Sequence, residues 1–211
     1  MDRTASLWEI ESAAWAAGRA LVCGCDEAGA GPLAGPVYAA AVILPPELEL
    51  PYLNDSKQVT PKRRDLLFDQ IKEQAVAWAV ASVGQEEIDG IDILNARIRA
   101  MQLAINQLFP APDYALIDGN RDRGSRCAIL TDHETVVRGD SRSASIAAAS
   151  ILAKVSRDRY MEEMAEKYPE YRFDKHKGYG TKLHYELLDT YGPSPIHRRS
   201  FLKKWEAQRH G

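Results

Sequence analysis

The sequence predicts an α/β protein, and three observations carry that prediction. Five short runs of strand type are interleaved with stretches of helical periodicity. Three of those runs lead into carboxylates beside a glycine: Asp26-Glu27 before Gly29, Asp118-Gly119, and Gly139-Asp140. A long segment from Ser141 is rich in alanine in its first half, which suits a helix lying close against a sheet.

Residues 6–18 read as a short amphipathic helix, with Leu7, Ile10, Ala14 and Trp15 on one side. The first strand, about 20–26, delivers Asp26 and Glu27 and meets a glycine turn. Val37 to Leu44 is the second strand, ended by Pro45-Pro46. The following loop carries Asn54-Asp55-Ser56-Lys57. Thr60-Pro61 opens a helix, with Thr in the N-cap position and Pro first inside it, and Leu66, Leu67, Phe68 and Ile71 form its expected core face. Residues 75–84 alternate large and small side chains and read as the third strand. Glu86 begins a further helical region. From Ile91 to Leu108 apolar residues recur at three-to-four spacing, and Pro110 and Pro112 stop that helix. Tyr114–Gly119 is the fourth strand and Thr135–Asp140 the fifth. Ser141 to Lys167 is the longest helix. Two shorter helices, from about 181 to 191 and at the terminus, complete the chain.

A chain of 211 residues with 45% hydrophobic content fits one ordinary domain with a full core. We expect a core over residues 1–167 and a helical extension over 168–211, packed as one compact unit. Net charge is −3, so no overall pull toward nucleic acid exists. The distribution differs: from Lys154 onward there are 13 Lys/Arg against 9 Asp/Glu, leaving the rest of the chain about −7. Such a basic region suits a polyanion, and equally a solvated face. Cys23, Cys25 and Cys127 are an odd set, two of them inside an apolar strand, so they read as small buried hydrophobes rather than a disulfide framework. The acidic N-terminus lacks the apolar stretch of a signal peptide, and no run of about 20 apolar residues occurs. The cytoplasm is the expected compartment, with no membrane attachment.

The acids carry the chemistry. Carboxylates are rarely buried unless paired or bound to a cation. Asp118 or Asp140 taken alone reads well enough as a turn residue. As a set, Asp26, Glu27, Asp118 and Asp140 offer four hard oxygen donors with neither His nor Cys, which suits two Mg²⁺ or Mn²⁺ ions and not zinc. Such a pair of ions serves phosphoryl displacement, one at the attacking water and one at the leaving oxygen. His133, His176, His184, His197 and His210 show no ligand spacing on one helix face.

The chain resembles the bacterial type 2 ribonucleases H. The matching strings are Cys25-Asp26-Glu27-Ala28-Gly29, Asn54–Lys57, Asp118-Gly119, Gly139 through Lys154, Lys177-Gly178-Tyr179 and Ser194–Arg198. They fall in the family's order from about residue 20 to 201. The resemblance implies the ribonuclease H fold, a five-stranded mixed sheet flanked by helices with a C-terminal helical extension. It implies cleavage of RNA in RNA–DNA hybrids and on the 5′ side of single ribonucleotides embedded in duplex DNA, leaving 3′-hydroxyl and 5′-phosphate ends. It also implies nucleic acid as the partner, and we expect the chain to act as a monomer. Asp26, Glu27, Asp118 and Asp140 match the metal-binding carboxylates. Tyr179 matches the tyrosine that stacks on the sugar at the junction, with Lys175, His176 and Lys177 expected to face phosphates. Lys57 and Lys154 match positions near phosphates, though Lys154 equally suits a helix salt bridge. Asp158, between Arg157 and Arg159, reads as a helix-surface ion pair.

One departure stands out. The family's turn is Gly-Arg-Gly, and here it is Gly29-Ala30-Gly31. In the family this turn contacts the ribose 2′-hydroxyl and the adjacent phosphate, largely through backbone groups; the 2′-hydroxyl is the local feature that separates RNA from DNA. Ala30 keeps its N–H but lacks a guanidinium. The expected consequence is weaker substrate engagement with the carboxylates unaffected. Two other readings compete: a hybrid-binding protein without activity, and a dinucleotide-binding enzyme using Gly29 and Gly31. The latter fits poorly, because Gly35 comes one place late and Pro32 and Pro36 interrupt a helix start.

Overall fold

The computed structural model describes residues 7–53 and 59–209. Five strands form one mixed sheet: β1 (Val22–Ala28), β2 (Val37–Ile43), β3 (Ala77–Val83), β4 (Tyr114–Asp118) and β5 (His133–Val136), in the spatial order β3-β2-β1-β4-β5. The pairs β1–β2 and β2–β3 are antiparallel, as expected of hairpin neighbours, and β1–β4 and β4–β5 are parallel. Helices cover both faces.

On one face lie α3 (Gln85–Ile91) and α4 (Ile93–Asn106). Ile98, Met101 and Ile105 of α4 pack on Cys23, Cys25 and Ile117 of the sheet. Both cysteines are buried on that face, as small hydrophobes. On the other face lie α1 (Glu9–Ala16), α2 (Pro61–Gln74) and α5 (Ala144–Lys167). The alanine-rich half of α5 is buried throughout, and its first turn rests directly on β1. Gly24 permits this: a Cβ there would overlap the Ser145 carbonyl carbon and the Ile146 nitrogen. Leu67, Phe68 and Ile71 bury the core face of α2, whereas Leu66 points out at 55% exposure, a correction to the expected face. The helix read from Ile91 to Leu108 is two helices, α3 and α4, divided at Asp92, which caps α4 by accepting from the Asn95 N–H.

The C-terminal part adds α6 (Phe173–His176), α7 (Lys182–Tyr191) and α8 (Arg199–Arg209). It closes on the β1–β2 loop. The Leu33 N–H donates to the Gly178 carbonyl, the Gly35 N–H to Ile196, and the Arg198 N–H back to Leu33. Ala34 packs there with Phe173, Tyr171 and Met161. No helix among the described residues is long and apolar enough to cross a membrane.

Candidate active site

Strand register places the first two acids. Cys25 of β1 pairs with Ile117 of β4, so the next residues along, Asp26 and Asp118, stand level on adjacent strands. Side chains alternate along a strand, so both point to the α5 face, in line with Val22 and Leu116, which pack on Ile146. Asp26 is 8% exposed, and its Oδ1 accepts the Glu27 N–H at 2.7 Å. Glu27 falls on the opposite face, toward α4. There Arg97 Nη2 meets its Oε1 at 2.6 Å, while Glu27 Oε2 is buried without a hydrogen-bond partner.

Asp140 arrives differently from the expectation. It does not end the fifth strand, which stops at Val136, but sits in a 3₁₀ turn, Gly139–Ser141, between β5 and α5. The Gly139 N–H donates to Asp118 Oδ1 at 2.7 Å, tying that turn to the end of β4. A Cβ on Gly139 would stand 3.1 Å from the same oxygen, so glycine lets the two acids' segments approach. The turn runs on through the Ser143 N–H, which donates to the Gly139 carbonyl, into the N-cap of α5. Glu11 of α1, fully buried, completes this anchorage: its Oε1 accepts from Ser143 Oγ at 2.6 Å and from the Ser145 N–H at 2.9 Å. The sequence reading missed Glu11. Its signal was there, since the spacing of Leu7, Glu11 and Ala14 puts an acid in the apolar stripe of α1.

The acids feel one another. Burial, then the charges of Glu27, Asp118 and Asp140, hold the Asp26 carboxyl well above the ordinary carboxylate range. Burial also raises Glu27, and the neighbouring Arg97 offsets part of that. The four carboxylates thus occupy one end of the sheet as mutually repelling groups. Among the described residues, no three His, Cys, Asp or Glu side chains are gathered closely enough to grip a metal ion already. Glu27 is drawn aside by Arg97, and one Asp118 oxygen is taken by Gly139. The donor set itself fits a hard divalent cation, and the buried, unpartnered Glu27 Oε2 is an oxygen that such a cation would satisfy.

Beside the acids lies the glycine turn. Gly29 has φ +94°, a left-handed conformation that favours glycine, and a Cβ there would overlap the Arg157 side chain. Two buried arginines brace this turn, Arg198 and Arg157, the second of which reads in the sequence as part of a helix surface. Arg198 donates from Nε to the Gly35 carbonyl at 2.8 Å, from Nη1 to Ala30 at 3.0 Å and from Nη2 to Gly29 at 2.6 Å. Arg157 donates from Nη2 to the Ala34 carbonyl and from Nη1 to Lys177. Burial, with Arg157 nearby, pulls the Arg198 guanidinium down to about 9, still a cation at neutral pH. Tyr179, 44% exposed, faces the turn: its Cε1 lies 3.9 Å from where a Cβ on Gly31 would stand.

The basic residues divide. Lys154 Nζ is 2.6 Å from Asp158 Oδ1, the helix ion pair that both residues suggested, with Lys154 rather than a neighbouring arginine as partner. Lys177 Nζ pairs with Glu162 at 2.8 Å, and Lys175 with Asp174 at 3.0 Å. His176 does not face outward as expected: it is buried, with Nε2 on the Tyr171 carbonyl. Lys57 lies outside the described residues. The dinucleotide reading fails on topology, because the strand after the glycine turn is β2, antiparallel to β1, where that fingerprint needs a helix.

A mixed sheet in the order 3-2-1-4-5, with acids from its central strands and a long helix across one face, defines a ribonuclease H-like protein. The comparisons with known proteins agree. The family model for ribonuclease HII matches residues 23–204. A ribonuclease HII of Endomicrobium trichonymphae is 56% identical over 180 residues, covering 85% of this chain and 84% of the relative. One from Caldicellulosiruptor bescii is 49% identical and covers 93% of each chain. The crystal structure of ribonuclease H2 from Pyrococcus horikoshii OT3 superposes with a TM-score of 0.71 at 27% identity, covering 86% of this chain and 93% of that one. The chain belongs to the ribonuclease HII family, endoribonucleases that hydrolyse RNA paired with DNA.

Proposed function

We propose that this protein cuts the RNA strand of RNA–DNA hybrids and also cuts duplex DNA on the 5′ side of a single embedded ribonucleotide, leaving 3′-hydroxyl and 5′-phosphate ends. The observation that carries the reading is the meeting of three parts at one end of the sheet: the acids, the Gly29–Gly31 turn and Tyr179. A lone ribonucleotide differs from its neighbours by one hydroxyl, so its recognition needs a backbone turn that reads that group and a surface that senses the adjoining sugar. The turn, with its carbonyls held by Arg198, takes the first role, and Tyr179 the second.

Asp26, Glu27, Asp118 and Asp140 would hold two divalent ions, Mg²⁺ or Mn²⁺, which when bound supply an activated water and charge neutralisation at the leaving oxygen. Arg97 keeps Glu27 oriented from the α4 side, and Gly139 keeps Asp118 beside the turn bearing Asp140. The acidic core presents anions to the ions, while Arg157 and Arg198 order the loops that meet the nucleic acid. The protein acts as a monomer on this reading, with residues 168–211 forming the substrate-facing extension of one compact unit.

The test is a Mg²⁺-dependent cleavage assay on a duplex carrying one ribonucleotide. A single nick 5′ of that residue is expected, with the all-DNA duplex intact. Asp118→Asn, whose Oδ1 can still accept the Gly139 N–H, is expected to lose cleavage by about 10³-fold at a melting temperature no lower than that of the wild type. Equal cutting of the all-DNA duplex, or full turnover by Asp118→Asn, would overturn the reading.

A further inference from the structure

Three histidines from separate elements meet beneath the loop that carries Tyr179. The rings of His176 and His184 stack with centroids 4.1 Å apart and planes 16° apart. His184 Nε2 lies 2.9 Å from His197 Nε2. All three are buried, and Phe173 sets its ring edge-on to both His176 and His184.

The hydrogen bonds fix where every proton sits. Both the Ser194 N–H, at 2.9 Å, and Ser194 Oγ, at 2.7 Å, meet His197 Nδ1; the N–H can only donate, so that nitrogen bears no hydrogen and the hydroxyl donates to it as well. Neutral His197 therefore carries its hydrogen on Nε2 and donates it to His184 Nε2. His184 must then carry its hydrogen on Nδ1, which stands 2.9 Å from the Tyr179 carbonyl, a group that can only accept. Both ends of the chain demand the same direction. The third ring follows the same logic: the Gly178 N–H donates to His176 Nδ1 at 3.2 Å, and Nε2–H donates to the Tyr171 carbonyl at 2.9 Å. All six ring nitrogens are used, so the trio keeps no lone pair for a metal.

The destination of this relay is the backbone of Tyr179. Its carbonyl accepts from His184 and from the Thr181 N–H at 2.8 Å, and its N–H donates to the His176 carbonyl at 2.9 Å. The backbone is held on both sides while the ring faces Gly31. The residue after His197 is Arg198, which grips the Gly29 and Ala30 carbonyls. One dipeptide therefore reaches both parts that meet the substrate.

We infer that His184 and His197 are positioning residues for substrate selection: a one-way pair of neutral imidazoles that sets Tyr179 at a fixed place relative to the glycine turn. This rests on the reading of Tyr179 given under Proposed function.

The experiment is a double-mutant cycle on the full chain, read by binding of a duplex with one ribonucleotide, with Ca²⁺ in place of Mg²⁺. Tyr179→Ala is expected to weaken binding about tenfold, the scale of one aromatic contact to nucleic acid. His184→Leu should weaken it by a similar factor, and should add nothing in the Tyr179→Ala background. His184→Asn, whose amide N–H can still reach the Tyr179 carbonyl, should recover most of the loss. Independent and multiplicative losses would overturn the inference while leaving the function intact. No effect from Tyr179→Ala would instead defeat the reading of Tyr179 and the inference with it. Should His184→Leu not fold, ¹⁵N NMR of the wild-type rings decides: hydrogens are expected on His197 Nε2, His184 Nδ1 and His176 Nε2, and any other tautomer in the His184–His197 pair would overturn the proposal.

Discussion

Arg97 Nη2 lies 2.6 Å from Glu27 Oε1, which joins helix α4 to the strand that bears two of the four acids. The Glu27 side chain is only 11% exposed, so its charge has little water to fall back on. Breaking a largely buried ion pair from one side leaves the other charge uncompensated. Arg97→Met is therefore expected to cost about 2–3 kcal/mol, a figure reduced for the partial exposure of Arg97. Arg97→Met with Glu27→Gln should regain most of that, because no orphan charge remains. Urea unfolding of the two variants checks this, and equal instability in both would remove the ion pair from the account.

Asp26 pays in stability for its position. Burial and three like-charged neighbours oppose its ionisation. Asp26→Asn keeps an oxygen for the Glu27 N–H and removes the repulsion. It should stabilise the metal-free protein by about 1–2 kcal/mol, or roughly 2–8 °C in melting temperature, while abolishing cleavage. Added Mg²⁺ should raise the melting temperature of the wild type more than that of the variant. A variant less stable than the wild type without metal would contradict the repulsion argument.

The buried histidines give stability a pH dependence of definite sign. Burial, then the neighbouring ring, depresses His184 to about 4 and His197 to about 3, with Arg199 also acting on His197. Unfolded, each would titrate near 6.5. Above that value both states are neutral and the contribution is complete. As pH falls from 6.5 toward 4, the unfolded chain takes up protons that the native rings refuse, and stability declines by up to about 3 kcal/mol per pH unit for two sites. Asp26 and Glu27, raised by burial, work oppositely and gain protons in the native state as pH falls. The histidine share is therefore read as a difference. Unfolding free energy measured at pH 7, 6 and 5 should fall more steeply for the wild type than for His184→Asn with His197→Gln. Parallel slopes would show that the rings titrate normally.

The strands and the acids they carry were legible because both are local. Alternation and apolar runs give β1 to β5, and an acid at a strand end is visible in a few letters. The turn bearing Asp140 was misread as strand because Thr135-Val-Val is β-prone, while the cost of extending past Gly139 lies in the Asp118 contact, far off in sequence. Arg157 reads as helix surface, and nothing local marks Arg198 as buried; only the packed loops supply the carbonyls that satisfy them. The histidines lie on separate elements, so no helical spacing could announce them. What escaped the sequence at the site is a set of buried polar groups whose partners come from other elements.

The Ala30 position offers the sharpest test of how the turn works. Its carbonyl is already held by Arg198 at 3.0 Å, and the carbonyl of Gly29 by the same guanidinium. The backbone of the turn is thus set by Arg198, independent of the side chain at 30, which is partly exposed. Ala30→Arg should therefore leave the fold and melting temperature unchanged. The new guanidinium can form charge-assisted bonds to a phosphate, worth roughly 1–2 kcal/mol. Affinity for a hybrid duplex should rise by about 5- to 30-fold at low salt, and the gain should shrink as salt is raised. Cleavage at subsaturating substrate should rise in proportion, with little change at saturation, because the carboxylates are untouched. An unchanged affinity would mean that the turn contributes through its backbone alone, and that Arg198, by holding that backbone, already supplies what the turn needs.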